Sequence, residues 1–137
     1  MICCAIGPDR ALARYTADRL MLGAGQERPP LPALALDARS DPAGLWRDAR
    51  ALARPGDLLL CLDSGDGQCL AAAIGTARQA GLDCAAVVHA AIADRAPADA
   101  DLERLVLPAA PREQLLTLQA MALGCFCHLI ELNLFGA

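Results

Sequence analysis

Short apolar runs alternate with longer amphipathic segments along the whole chain. The periodicity predicts strands at 1–6, 31–36, 57–62, 84–88 and 102–107, and helices at about 10–22, 43–53, 68–80 and 111–134. The remaining stretch, 89–101, is rich in Ala and Asp and is predicted to be a loop with one helical turn. Strands that alternate with helices form a parallel sheet covered on both faces. The pattern therefore predicts a single α/β domain over residues 1–137.

The apolar positions of the last predicted helix form two stripes. One stripe is Leu115, Leu118, Ala122, Cys125 and Leu129, and the other is Leu116, Leu123, Phe126, Ile130 and Leu134. One stripe is enough to pack a helix on its own sheet, so the second predicts a contact between subunits of a homodimer or homotetramer. A helix buried deep in a monomer core is the alternative. Leu134 and Phe135 are also candidate partner contacts, although an ordinary hydrophobic cap has the same pattern.

Composition narrows the class of protein. Apolar residues make up 55% of the chain and charged residues 20%, which excludes a disordered protein. The net charge of −4 disfavours a nucleic-acid surface. No uninterrupted apolar run approaches the roughly 20 residues of a membrane span, and the N-terminus does not resemble a signal peptide. We therefore expect no direct nucleic-acid partner and no membrane contact.

The seven cysteines are an odd number and include no Cys-x-x-Cys pair, and only two histidines accompany them. This pattern favours reduced core thiols over a metal site, so we expect no metal, no cofactor and a cytoplasmic location. Cys69 is predicted to lie in the first turn of a helix, where a thiolate is favoured, but no base accompanies it.

Several segments occur in the same order as in a known family. They are Cys3-Cys4 followed by Glu-Arg-Pro-Pro-Leu-Pro-Ala-Leu-Ala-Leu at 27–36, Arg-Pro-Gly-Asp-Leu-Leu-Leu at 54–60, Ala-Arg-Gln-Ala-Gly-Leu at 77–82, and Cys-His-Leu-Ile-Glu-Leu-Asn-Leu-Phe at 127–135. Together they resemble the bacterial SIS (sugar isomerase) proteins, which include phosphoheptose isomerase and the DnaA initiator-associating protein. The initiator-associating branch resembles this chain best, through the Cys-Cys start, the Glu-Arg-Pro turn and the Leu-Phe end.

The resemblance implies a three-layer sandwich with a five-stranded, parallel, flavodoxin-like sheet, a long C-terminal helix and a tetramer built partly through helices. Family members carry helices before the first strand, whereas Met1 here lies at the start of the first predicted strand. The resemblance therefore implies a short form of the family, or a start codon placed too late.

The resemblance also places a phosphate-binding turn after the third strand, where the family has several hydroxyl side chains. Here the turn contains Asp63, Ser64, Gly65 and Asp66, so a single hydroxyl lies between two carboxylates. These residues remain candidate ligand contacts, but carboxylates repel a phosphate dianion by about 3 kcal/mol per unit charge pair at ~5 Å. An acidic turn that caps the following helix is the alternative.

The loop after the first strand is changed as well. Only Gly7 remains of the glycine-rich family loop, Pro8 removes a backbone donor, and Asp9 replaces a serine. We therefore expect this half of the site to bind anions poorly. Gly7 and Asp9 remain candidate ligand contacts of a degenerate site.

Isomerisation needs a base and an acid. The resemblance places these groups on the first and last helices, at positions that are Arg19 and Gln119 in this chain. Arginine is not a base near neutral pH, and glutamine does not titrate. The sequence therefore predicts no catalytic residues and an activity that has been lost.

The expected function is that of a non-catalytic, oligomeric interaction protein of the initiator-associating type, with a DnaA-type initiator as its possible partner. Two alternatives remain open at this point. One is a protein that binds a sugar derivative or a sugar phosphate, and the other is a divergent phosphosugar isomerase.

Overall fold

The computed structural model describes residues 2–5, 9–23, 27–37, 42–95 and 102–136, with the backbone alone at 2–5, 37, 42 and 43. In this part of the chain the strands are β1 (Ile2–Ala5), β2 (Leu34–Asp37), β3 (Leu58–Asp63), β4 (Asp83–His89) and β5 (Glu103–Leu107). The helices are α1 (Asp9–Leu22), α2 (Pro42–Leu52), α3 (Gln68–Ala80), α4 (Ala90–Ala93) and α5 (Arg112–Phe135).

The strands form one parallel sheet in the order β2-β1-β3-β4-β5. The expected α/β fold with a parallel sheet and a long C-terminal helix is confirmed. In this strand order the chain first crosses to one side of β1 and then to the other, so a crevice forms where the carboxyl ends of β1 and β3 diverge. Ligand sites of doubly wound sheets lie in such crevices.

The apolar run that predicts β3 is buried on both faces of the sheet. Leu59 and Cys61 pack under α2 and α3, whereas Leu60 and Leu62 pack under α1 and α5. Because successive side chains of a strand point to opposite faces, a strand between two helical layers needs apolar residues at every position. The sheet is therefore the middle layer of three.

β2 begins later than the sequence predicts. The predicted strand spans 31–36, but the observed strand begins at Leu34. Pro30 and Pro32 have no N–H to donate to a neighbouring strand, and the Leu31 N–H bonds instead to the Leu20 carbonyl, 3.1 Å away.

The buried stripe of α5 differs from both predicted stripes. It consists of residues at a spacing of four, namely Leu115, Gln119, Leu123, Cys127 and Glu131. Leu123 was predicted to lie at a subunit interface and is instead fully buried against the sheet, so that assignment is wrong. Leu116, Phe126 and Ile130 are half-buried, and Leu134 and Phe135 are exposed. Two of the five buried positions are polar, Gln119 and Glu131, so the stripe does not appear in a pattern of apolar residues.

The outward face of α5 carries several exposed apolar side chains. Met121 is 64% exposed and Leu129 is 55% exposed. By length and composition alone α5 is able to cross a membrane, with a mean hydropathy of 1.6 in one 18-residue window. Its inward face carries Gln119 and Glu131 and covers the sheet, so in this structure α5 is one layer of the sandwich.

A buried ion pair joins α1 to the end of α5. The Arg28 Nε and Nη2 atoms donate to Glu131 Oε1 at 2.8 and 2.6 Å. Arg28 also donates to the carbonyls of Leu20 and Arg19 at the end of α1, at 2.9 and 3.2 Å. Its guanidinium lies over the Phe135 ring, 5.6 Å from the ring centre. Two of the segments that carry the family resemblance therefore contact each other through this pair.

Candidate functional site

Asp9 and Ser64 meet in the crevice between β1 and β3. Asp9 is the first residue of α1, and Ser64 follows the last residue of β3. The Ser64 N–H donates to Asp9 Oδ2 at 2.6 Å, and the Ser64 hydroxyl donates to Asp9 Oδ1 at 2.7 Å. Asp9 is 1% exposed and Ser64 is 6% exposed. Both carboxylate oxygens of Asp9 thus engage the donors that Ser64 presents at the crevice.

Asp63 holds the start of α3 in a similar way. Its Oδ1 accepts the Gly65 N–H at 2.8 Å, and its Oδ2 accepts the Leu70 N–H at 3.1 Å. Asp66 Oδ1 accepts the Gln68 N–H at 3.1 Å. The first amides of a helix have no partner within the helix, and an anion bound there is stabilised by them. In this chain, carboxylates of the turn itself accept from these amides, as the capping alternative predicts.

The last residue of β4 and a residue that follows α4 contact the same turn from the other side. His89 Nε2 lies 3.0 Å from the Gly65 carbonyl oxygen, and Arg95 Nη1 donates to the Asp66 carbonyl. Gly67 has a φ of +85°, and a Cβ at this position would lie 2.9 Å from Arg95 Cδ. Both the left-handed backbone and the close approach of Arg95 therefore require glycine here.

The Asp9 carboxyl is buried but not isolated from positive charge. Burial raises the pKa of Asp9 above its ordinary value, while the bonds from Ser64 and the charge of Arg112 act in the opposite direction. Arg112 is the exposed first residue of α5, so α1, α3 and α5 all begin near this crevice. Among the described residues, no three His, Cys, Asp or Glu side chains come together in a group that would hold a metal ion.

Arg19 and Gln119 lie outside this group. Arg19 is ten residues along α1 from Asp9, about 15 Å at the rise of an α-helix. It donates to the Tyr15 hydroxyl at 3.3 Å, and its charge lowers the pKa of Cys127, which burial raises. Gln119 is fully buried beneath α5, and its Nε2 lies 3.4 Å from the Val87 carbonyl oxygen. Neither contact supplies an acid or a base.

The structure thus brings together Asp9, Asp63, Ser64, Gly65 and Asp66 of the predicted ligand-binding residues. Gly7, the remaining one, lies outside the described part of the chain.

Sequence reasoning missed His89, Arg95 and Arg112 as neighbours of the crevice. His89 and Arg95 flank α4, in a stretch predicted as a loop, and Arg112 begins the last helix. A signal for all three was available, because residues that follow the carboxyl end of a parallel strand share one edge of the sheet.

Solved structures with this architecture are known. A phosphoheptose isomerase from Francisella tularensis superimposes with a TM-score of 0.78 and 22% identity, over 94% of this chain and 74% of that one. A phosphoheptose isomerase from Neisseria gonorrhoeae superimposes with a TM-score of 0.72 and 18% identity, over 94% of this chain and 75% of that one. The C-terminal domain of a glucosamine-fructose-6-phosphate aminotransferase from Francisella tularensis superimposes with a TM-score of 0.56 and 14% identity. The match covers 89% of this chain and 35% of that one. No family model and no curated protein sequence matches the chain.

The chain has an SIS-type, phosphoheptose isomerase-like fold. At these identities the likeness concerns the fold alone. Within this SIS-type fold, the crevice at the carboxyl ends of β1 and β3 is closed by an internal contact between Asp9 and Ser64.

Proposed function

We propose that this chain is a non-catalytic SIS-type protein that acts as an oligomeric interaction protein. The observation that carries the proposal is the Asp9–Ser64 contact, in which a side-chain carboxylate takes the two donors that an anionic ligand needs. Arg19 and Gln119, at the positions where the family resemblance expects the base and the acid, support it further. A soluble protein of the cytoplasm is part of the same proposal.

The contact disfavours a sugar phosphate for two reasons. A phosphate would have to displace Asp9 from Ser64, and it would then lie beside the carboxylates of Asp9 and Asp63. Each charge pair at ~5 Å costs about 3 kcal/mol at an effective dielectric of 20. A loss of that size corresponds to about a hundredfold in affinity for each carboxylate.

We expect no turnover of sedoheptulose 7-phosphate above background and no binding at millimolar concentration. General acid–base groups each supply about 10²–10⁴-fold in rate, and neither Arg19 nor Gln119 supplies one. The double variant Arg19→Glu/Gln119→His is expected to stay inactive, because the Asp9–Ser64 contact remains. The measurements are a coupled isomerase assay and calorimetric titration.

Turnover by the unmodified chain would contradict the proposal. Binding of an uncharged sugar with rejection of its phosphate ester would instead favour the alternative of a sugar-binding protein.

The proposed interaction surface is the outward face of α5. Met121, Cys125 and Leu129 lie exposed along it. Beside it, an apolar groove of about 210 Å³ runs between α5 and β5, lined in part by Leu105 and Phe126. Exposed apolar side chains that lie next to one another are typical of a protein–protein contact. A second copy of the chain, in a dimer or tetramer, is the occupant that we propose for it.

We expect the protein to sediment as a dimer or tetramer at micromolar concentration, and Met121→Asp to shift it towards the monomer. An aspartate at the centre of an apolar contact loses its hydration without gaining a partner. Leu52→Asp is the matched control, because Leu52 is an exposed leucine (56%) on α2, in the other helical layer. Analytical ultracentrifugation distinguishes the two variants, and a monomeric unmodified chain would refute the proposal.

A second partner follows from the sequence resemblance rather than from any contact in the structure. The initiator-associating branch suggests a DnaA-type initiator, which a co-purification experiment with and without Met121→Asp would test.

A further inference from the structure

Two buried thiols meet at the base of the turn that carries Asp63 and Ser64. Cys61 lies in β3 and Cys69 lies in the first turn of α3. Their sulfur atoms are 3.6 Å apart, with the Cys61 S–H donating to the Cys69 sulfur. Both residues are reduced and no more than 1% exposed. The seven residues between them include the whole turn from Asp63 to Gly67.

We propose that Cys61 and Cys69 are a redox-sensitive pair, which hydrogen peroxide oxidises to a reversible intramolecular disulfide. The bond would fasten the end of β3 to the start of α3 and enclose the turn in a covalent ring. This inference does not depend on the proposed function, because it concerns the chemistry of the turn whether or not the crevice binds a ligand.

The reaction balances with hydrogen peroxide as the oxidant. The Cys69 thiolate attacks one peroxide oxygen, the O–O bond breaks, and a sulfenic acid and hydroxide are formed. The Cys61 sulfur, as its thiolate, then attacks the sulfenic sulfur, and that oxygen leaves as water after protonation. In total, two thiols and one peroxide give one disulfide and two waters.

The positions of Cys61 and Cys69 favour a disulfide between them. A disulfide has an S–S distance of about 2.05 Å, so the two sulfurs need to approach by about 1.5 Å. Cys69 lies in the first turn of α3, whose amides donate to Asp63 and Asp66. Its neighbour in that turn, Gln68, is exposed. We expect a small shift of this helix end, with those bonds kept, to admit the oxidant and to bring the two sulfurs together.

A third thiol, Cys84, lies in the same core. Burial, and then the charge of Cys69, raise the pKa of Cys84 to about 11. The test therefore has to distinguish a Cys61–Cys69 disulfide from one that includes Cys84.

The test is disulfide mapping of the folded, full-length chain. The folded protein is treated with hydrogen peroxide, and the peroxide is removed. The chain is then unfolded in urea, blocked with N-ethylmaleimide and digested with trypsin under non-reducing conditions. Peptide 51–78 contains Cys61 and Cys69 and no other cysteine, because trypsin does not cleave between Arg54 and Pro55. We expect this peptide to become lighter by two hydrogen atoms and its maleimide labels to fall from two to none, with both labels regained after dithiothreitol.

Two controls make the result specific. Cys84→Ala is expected to give the same disulfide, and the chain unfolded in urea is expected to give mixed pairings instead. The proposal is overturned if peptide 51–78 of the folded chain keeps both labels, is linked to the Cys84 peptide 79–95, or carries only a sulfinic acid.

Discussion

Arg28→Ala is expected to lower the free energy of unfolding by about 3–5 kcal/mol, because it removes the cation that donates two hydrogen bonds to the buried carboxylate of Glu131. The two side chains are 4% and 7% exposed. The variant also loses the bonds from Arg28 to the Leu20 and Arg19 carbonyls, which then keep only their backbone donors, the Leu31 and Gly23 N–H groups. A loss of this size is a large part of the roughly 5–15 kcal/mol that stabilises a typical domain. Urea denaturation followed by circular dichroism measures it.

Arg14→Ala is the matched control. Arg14 and Asp18 form an ion pair at 3.8 Å on the outside of α1, with side chains 79% and 55% exposed. Exposed pairs contribute about 0–1 kcal/mol, so this variant should stay close to the unmodified chain. Should Arg28→Ala fail to fold, Glu131→Gln retains the shape of the site and removes one charge. Equal stability of the Arg28 and Arg14 variants would show that the buried pair does not hold α1 to α5.

The element pattern was predictable because most segments carry a local signal. The apolar run of β3 indicates a strand with helices packed on both faces, and the structure has this arrangement. The single helical turn predicted within 89–101 is present as Ala90–Ala93. α5 was predicted to within one residue at each end, yet its inward face was not. A stripe that contains Gln119 and Glu131 does not stand out by hydrophobicity, because each of these polar side chains bonds to a partner far away in the sequence.

The contacts that define the crevice have no local signal. Asp9 and Ser64 are 55 residues apart, and Arg28 and Glu131 are 103 residues apart. The carboxyl ends of β1 and β3 lie side by side only because the strand order is β2-β1-β3. Sequence reasoning identified Asp9, Asp63 and Ser64 one by one as candidate ligand contacts. It did not predict that Asp9 itself binds the donors of Ser64.

Asp9→Ser is expected to turn the crevice into a site for inorganic phosphate or sulfate. Without the carboxylate, the Ser64 N–H and hydroxyl are free to donate to an anion, and the start of α1 and the nearby Arg112 both favour negative charge there. Removal of one like charge at ~5 Å is worth about 3 kcal/mol, or about a hundredfold in affinity. The measurement is the rise in melting temperature with phosphate concentration, since a ligand at 100 times its Kd stabilises by about 2.7 kcal/mol.

Asp66→Ser is the control for this gain, because it removes one negative charge from the turn that Asp9 contacts. Asp66 is exposed and bonds to the Gln68 N–H rather than to Ser64, so its removal leaves the Asp9–Ser64 contact in place. We expect phosphate to stabilise Asp9→Ser and to have little effect on Asp66→Ser or on the unmodified chain. Equal responses in the two variants would mean that overall charge, and not the Asp9–Ser64 contact, keeps anions out. A strong response in the unmodified chain would show that phosphate displaces Asp9 unaided, and would remove the main support for a non-catalytic protein.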